Sequence, residues 1–229
     1  MSKYSPCVFA DLTISKIADL IKKNDVKHIG FVGDDDTAVS FGSDTDMSTT
    51  DIQNCLNVMR VGEAKSAYGI TGSGVKVGLL DLTCPSGTTF KRNPNCTSVA
   101  KDVHHANTIY SILRTIAPNA TYYATGYNET RTSYYEQIEW LLSSGVNIIT
   151  SSMGIDSTLN KYNDVSRWLD HIAYNYDVHF VQAAGNFGNK GVCAEGMAYN
   201  VITVGNTGWT GSYVIDGESS YNNDGANRT

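Results

Sequence analysis

Proline is scarce in this sequence, with 4 in 229 residues, and no two cysteines are spaced C-x-x-C. The second absence excludes a zinc ribbon and a thioredoxin-type redox pair. No apolar run reaches the roughly 18 residues that a membrane-spanning helix needs, so no membrane partner is expected. The opening stretch, MSKYSPCVFADLTISKIADL, has no continuous apolar core of the signal-peptide kind. The chain is therefore expected in the cytoplasm if Met1 is the true start. Basic residues are outnumbered, with 17 Lys and Arg against 23 Asp and Glu, for a net charge of -6. An acidic chain with no basic cluster is a poor binder of phosphate backbones, so nucleic acid is not an expected partner. Nothing repeats with a fixed period, which excludes solenoids.

What is present points to a packed protein. Hydrophobic residues make up 41% and charged residues 17%, enough for a core and against global disorder. The length suits one sizeable domain, with or without a small appendage. The five cysteines are Cys7, Cys55, Cys84, Cys96 and Cys193. Cys84 and Cys96 could close a disulfide across a loop, or all five could remain thiols in a reducing compartment.

The first fifty residues differ from the rest. Ile14, Ile17, Ala18 and Ile21 recur at a helical period. A strand-like HIGFVG follows at 28–33, then a polar, acidic stretch over 34–51 that reads as a loop or linker. Thr50 or Asp51 is placed to cap a helix to about Met59, and a second helix covers 62–68, stopped by Gly69. From residue 75 strands and helices alternate. Strands are expected over 75–81, 120–127, 146–154, 178–186 and 200–208, and helices over 105–116, 133–145 and 163–177. The strands are apolar throughout rather than at every second position. That pattern predicts an α/β fold with a doubly wound, mostly parallel sheet covered by helices on both faces. The division expected is an extension over 1–50 and a main domain over 51–229.

In such sheets function gathers at the carboxyl ends of the strands. Those ends carry Asp81, the segment Ser151-Ser152-Met153-Gly154, and Ala184-Gly185-Asn186, while His104 and His105 open the first helix of the regular region. A histidine base needs a carboxylate to hold its tautomer, which Asp81 could supply to His105. A tetrahedral oxyanion needs a donor, which the Asn186 amide could supply. Taken singly, each also reads blandly: a polar strand end, a helix-terminal histidine, a left-handed turn asparagine.

Taken in order, the blocks resemble the subtilisin-like serine proteases. GSGVKVGLLD (72–81), HANTIYSIL (105–113), APNATYYA (117–124), VNIITSSMG (146–154), AAGNFG (183–188) and NVITVGNTG (200–208) follow the order of that family's motifs, and the resemblance covers about residues 62–224. The resemblance implies a subtilisin-like fold and endopeptidase activity on a peptide or protein substrate. It implies Asp81 as the orienting acid, His105 as the base and Asn186 as the oxyanion donor. It makes Ser152, Met153 and Gly154 a strand that pairs with substrate backbone, and Ala183, Ala184 and Gly185 the other wall of the specificity pocket. The histidine block departs from the family's at Ala106 and Thr108, and Leu82-Thr83 follow the aspartate in place of the usual Thr-Gly or Ser-Gly. Among cofactors, calcium enters by resemblance alone. No metal-ligand set is read from the residues, and Asp34, Asp35 and Asp36 read as a solvated acidic loop. Secretion, common in the family, is implied in the same way.

The family's nucleophile block, G-T-S-x-A-x-P, is absent. Gly217-Glu218-Ser219-Ser220-Tyr221 is superficially similar, but no apolar helix follows, and Ser219 to Gly225 fits an earlier loop of the family better. The expectation is a catalytic domain incomplete at its C-terminus, its serine supplied by a segment beyond this chain. Residues 1–50 are expected to be a family-specific extension or a partial inhibitory prodomain. Two other classes compete: a catalytically inactive protease-like module that binds peptides or a partner chain, and a doubly wound nucleotide-binding domain. The latter lacks a glycine loop after its first strand.

Overall fold

A computed structural model of the chain describes residues 3–5, 7–8, 10–27, 29, 39–40, 49–96, 103–127, 131–154 and 159–205. The predicted strand at 28–33, the Asp34–Asp36 run and the Ser219 region lie outside them, Ile29 excepted. Six strands form one sheet: β2 (Lys76–Asp81), β3 (Lys91–Arg92), β4 (Thr121–Gly126), β5 (Ile148–Ser151), β7 (His179–Ala183) and β8 (Val201–Val204). Their order is β3-β4-β2-β5-β7-β8, and every pairing is parallel. A separate two-stranded pair joins β1 (Val39–Ser40) to β6 (Met153–Gly154), antiparallel.

The alternation of side chains along the central strands explains the double winding. Val77 and Leu79 of β2, with Tyr122 and Ala124 of β4, pack on one face with Tyr110 of α4 (Val103–Ile116). Leu80 and Tyr123 pack on the other face, against α5 (Arg131–Ser143) and α6 (Asp164–Tyr176) through Tyr134, Ile138, Leu141, Trp168, Leu169 and Ile172. The chain leaves β2 over one face to reach β4 and returns over the other to β5. The winding therefore reverses at β2, and the carboxyl end of β2 is the switch point.

Local chemistry sets the helix limits. Asn163 caps α6, its side chain accepting from the backbone of Val165 and Ser166 while Ser166 Oγ accepts from Asn163 N. The short helix α3 (Val61–Tyr68) stops at Gly69, whose φ of 64° is the left-handed cap that glycine adopts without strain. Two other helices are α1 (Ile14–Ile21) and α2 (Thr49–Val58).

Several expectations shift. Helix α2 starts at Thr49, so Thr50 and Asp51 lie inside it and not at its cap. Helix α4 starts at Val103, which places His104 and His105 within its first turn. The single strand expected over 146–154 breaks at Ser152 into β5 and β6. The stretch read as a linker contains β1, which exists because β6 offers it a partner edge. Helix α5 buries Tyr134, Ile138 and Leu141 on one side and leaves Glu136 and Ser143 exposed on the other. Edge strand β8 leaves Ile202 and Val204 exposed, so the covering of apolar strands does not extend to it among the described residues.

The N-terminal residues pack against α6. Trp168 Nε1 donates to Ser5 Oγ at 2.8 Å, His171 Nε2 donates to the Tyr4 carbonyl at 3.1 Å, and the Tyr4 and Tyr176 rings meet edge-on. Cys84 and Cys96 are joined as a disulfide, the first of the two alternatives above. Gly126 makes room for that crosslink. A Cβ there would lie 2.8 Å from Cys96 Sγ and 2.9 Å from Thr83 Cα.

Leu169 is fully buried at the centre of the α6 contact. Leu169→Ala is expected to destabilise the chain by about 2–5 kcal/mol. Urea denaturation should show a lower midpoint with an unchanged slope.

Candidate active site

Asp81 is the last residue of β2, and by strand parity with Leu79 its side chain lies on the α4 face. It has no exposed surface, and His105 is 4% exposed. A carboxylate removed from water requires compensating donors. His105 Nδ1–H donates to Asp81 Oδ2 at 2.8 Å, and the Leu82 backbone N–H donates to Oδ1 at 2.7 Å. The bond engages Nδ1 and leaves Nε2 as the ring's basic nitrogen. The helix that carries His105 is tied to the loop that follows Asp81, since Ser86 N–H donates to Asn107 Oδ1 at 2.7 Å. The same loop is closed by the Cys84–Cys96 bond and by Arg92, which donates to the Pro85 carbonyl at 2.6 Å.

The second half of the site lies across β5 and β7. These strands run side by side, with Ser151 opposite Gln182. Ser152 is half-buried between β5 and β6, and Met153 and Gly154 are buried. Ala183 ends β7, Ala184 and Gly185 are buried, and Asn186 stands exposed three residues beyond the strand. The turn between them requires Gly185, whose φ is 111°. It is held by Ala184, whose N–H donates to the Val204 carbonyl and whose carbonyl accepts from Cys193 N. The outer edge of β6 is taken by β1, with Val39 opposite Gly154 and Ser40 opposite Met153.

Behind these walls lies a group that the sequence did not single out. Gln182, Cys193 and Glu195 are fully buried, with Tyr134 of α5 beside them. Burial, then the Glu195 carboxylate, then the Cys193 thiol push the Tyr134 phenol well above its ordinary pKa. Burial, then Glu195, push the Cys193 thiol up likewise. No periodicity marks Glu195, because it sits in a 3-10 turn, Ala194–Met197, rather than in a strand or helix.

Among the described residues no helix is long and apolar enough to cross a membrane. Nor do three or more His, Cys, Asp or Glu stand together as a metal cage among them.

The model of the subtilase family matches residues 95–226, more than half of the chain. His105 and Asn186 fall inside that range and Asp81 before it. No curated protein matches. Among solved structures, the prenylagaramide maturation protease PagA superposes with a TM-score of 0.57 at 18% identity, over 71% of this chain and 63% of that one. A lanthipeptide protease gives 0.55 at 15% identity, over 75% and 60%. The patellamide maturation protease PatA gives 0.52 at 20% identity, over 67% and 63%. These likenesses establish a subtilisin-like α/β fold, and this chain spans less than two thirds of each of those structures.

The pair predicts a spectroscopic signature. In the chain with 15N-labelled histidine, the Nδ1–H proton of His105 should be protected from exchange and strongly downfield. Asp81→Ala should abolish that signal, and its persistence would refute the pairing.

Proposed function

The chain belongs to the subtilase family, and on that premise we propose that it carries the acid, base and oxyanion donor of a serine endopeptidase, with the nucleophilic serine supplied by a segment outside these residues. The observation that carries this reading is the buried 2.8 Å bond from His105 to Asp81 at the switch point of the sheet. In the proposed cycle His105 Nε2 takes the serine proton as the oxygen attacks the scissile carbonyl. Asp81 keeps the ring in the required tautomer and stabilises the imidazolium that forms. Asn186 donates its side-chain amide to the oxyanion of the tetrahedral intermediate. His105 then returns the proton to the departing amine, and water repeats the sequence to release the acid.

Substrate backbone would add along Ser152, Met153 and Gly154, with Ala183, Ala184 and Gly185 as the facing wall. The antiparallel pairing of β1 with β6 supports this, because that edge already accepts an extended segment. We read the 1–50 extension as a competitor for the edge that an arriving peptide displaces. The same pairing favours the second reading, a peptide-binding module without catalysis. The Cys84–Cys96 disulfide supports an oxidising compartment.

In the full gene product, Asp81→Asn should lower kcat on quenched peptides by about 10⁴-fold. Asn186→Ala should lower it by about 10²–10³-fold, the range known for the equivalent donor of subtilisin. Full activity in either variant would refute the assigned roles. Binding without turnover in the unmodified protein would favour the second reading.

Replacing Val39 and Ser40 together by proline removes the N–H groups of β1. It should lower KM for extended peptides and leave kcat unchanged. An unchanged KM would exclude competition by β1.

A further inference from the structure

The Cys84–Cys96 crosslink brackets the acid–base pair. Cys84 stands three residues after Asp81, and Cys96 stands nine before His105. Along the backbone the acid and base are 24 residues apart, and the route through the sulfurs is half as long. A shorter covalent path confines its two ends more tightly. The crosslink also closes a ring over 84–96, and α4 is fastened to that ring. Ser86 N–H donates to Asn107 Oδ1 at 2.7 Å, and the Tyr110 hydroxyl donates to the Thr89 carbonyl at 2.9 Å.

The sulfurs are seated against the strand pair that carries the acid. Gly126 is the β4 residue in register with Asp81. Cys96 Sγ packs there so closely that a Cβ on Gly126 would lie 2.8 Å from it. Cys84 is buried in the cluster of Val77, Leu79 and Tyr110, while Cys96 is half-buried. Two thiols need van der Waals separation where a disulfide needs only a bond length. Reduction therefore pushes the sulfurs apart. The core holds Cys84, so Cys96 is the one to move, and the chain from Cys96 leads to the first turn of α4 and His105. The Cys96 sulfur is also the one that an attacking thiolate reaches.

Resting on the endopeptidase reading above, we propose that this disulfide is a redox control on the acid–base pair: oxidation sets His105 on Asp81 and turns catalysis on, and reduction to two thiols turns it down. The oxidant is a small-molecule disulfide. One cysteine thiolate attacks it, forming a mixed disulfide and expelling a small thiolate. The second cysteine thiolate then attacks the mixed disulfide and expels the other. Two electrons pass to the oxidant, and its two thiolates take up the two protons that the cysteines lost. A dithiol reverses the sequence and is itself oxidised to a disulfide.

The test compares the full gene product held in oxidised glutathione with the same protein held in reduced dithiothreitol. Reduction should lower kcat on quenched peptides by about 10²-fold with little change in KM. It should weaken the downfield His105 Nδ1–H signal, while far-UV circular dichroism stays that of the folded protein. Reoxidation should restore both readouts. The double variant Cys84→Ser, Cys96→Ser should match the reduced protein under either condition. If that variant fails to fold, the unmodified protein still decides. Equal kcat in the two conditions overturns the redox control while the protease reading stands. Unfolding on reduction overturns it too, because the crosslink is then a structural staple. Cleavage in neither condition overturns the protease reading itself, and this inference with it.

Discussion

A carboxylate with no exposed surface, at the carboxyl end of the central strand, is the constraint around which the rest is arranged. Asp81 cannot be left uncompensated in the interior, where an unpaired charge costs several kcal/mol. Its two oxygens receive the Leu82 N–H and the His105 Nδ1–H. Helix α4 has to cross the same sheet face with its first turn over the end of β2. The loop between them is correspondingly tied down, by the Cys84–Cys96 crosslink, by Asn107 and by Arg92. Deeper still, Asn93 donates to Thr125 and Gln137, which fastens the end of this loop to β4 and α5. Those ties fix where the acid and base sit relative to each other.

The other side of the switch point is built differently. Here the strands diverge: β5 ends at Ser151, β6 turns away to pair with β1, and β7 ends in the Gly185 turn. Behind that divergence Gln182 and Cys193 donate to the backbone carbonyls of Met153 and Ala183. A fold driven mainly by apolar burial retains a buried Gln, Cys, Glu and Tyr in one place only where their chemistry is used or fully satisfied.

Much of this architecture was legible in the residue order. Apolar runs of strand length alternating with helical periods are local features, and each main strand and helix from residue 75 onward fell where its run predicted. The breaks in the pattern had tertiary causes. Ser152 divides one apolar run into two strands because β6 finds a partner outside the main sheet. Val39 and Ser40, in a polar stretch without strand periodicity, become a strand only because that partner edge is available.

The sequence alone determined which residue types stand at the strand ends, since those positions follow from local hydrophobic period and turn chemistry. It named Asp81 and His105 as candidates but left the bland reading of each open. Only the tertiary structure decided that they touch, across 24 residues of chain, and that Cys84 pairs with Cys96. It alone gathered Tyr134, Gln182 and Glu195 from a helix, a strand and a 3-10 turn. Contacts between distant segments depend on how faces pack, and no local pattern encodes the position of a buried acid relative to a helix sixty residues away.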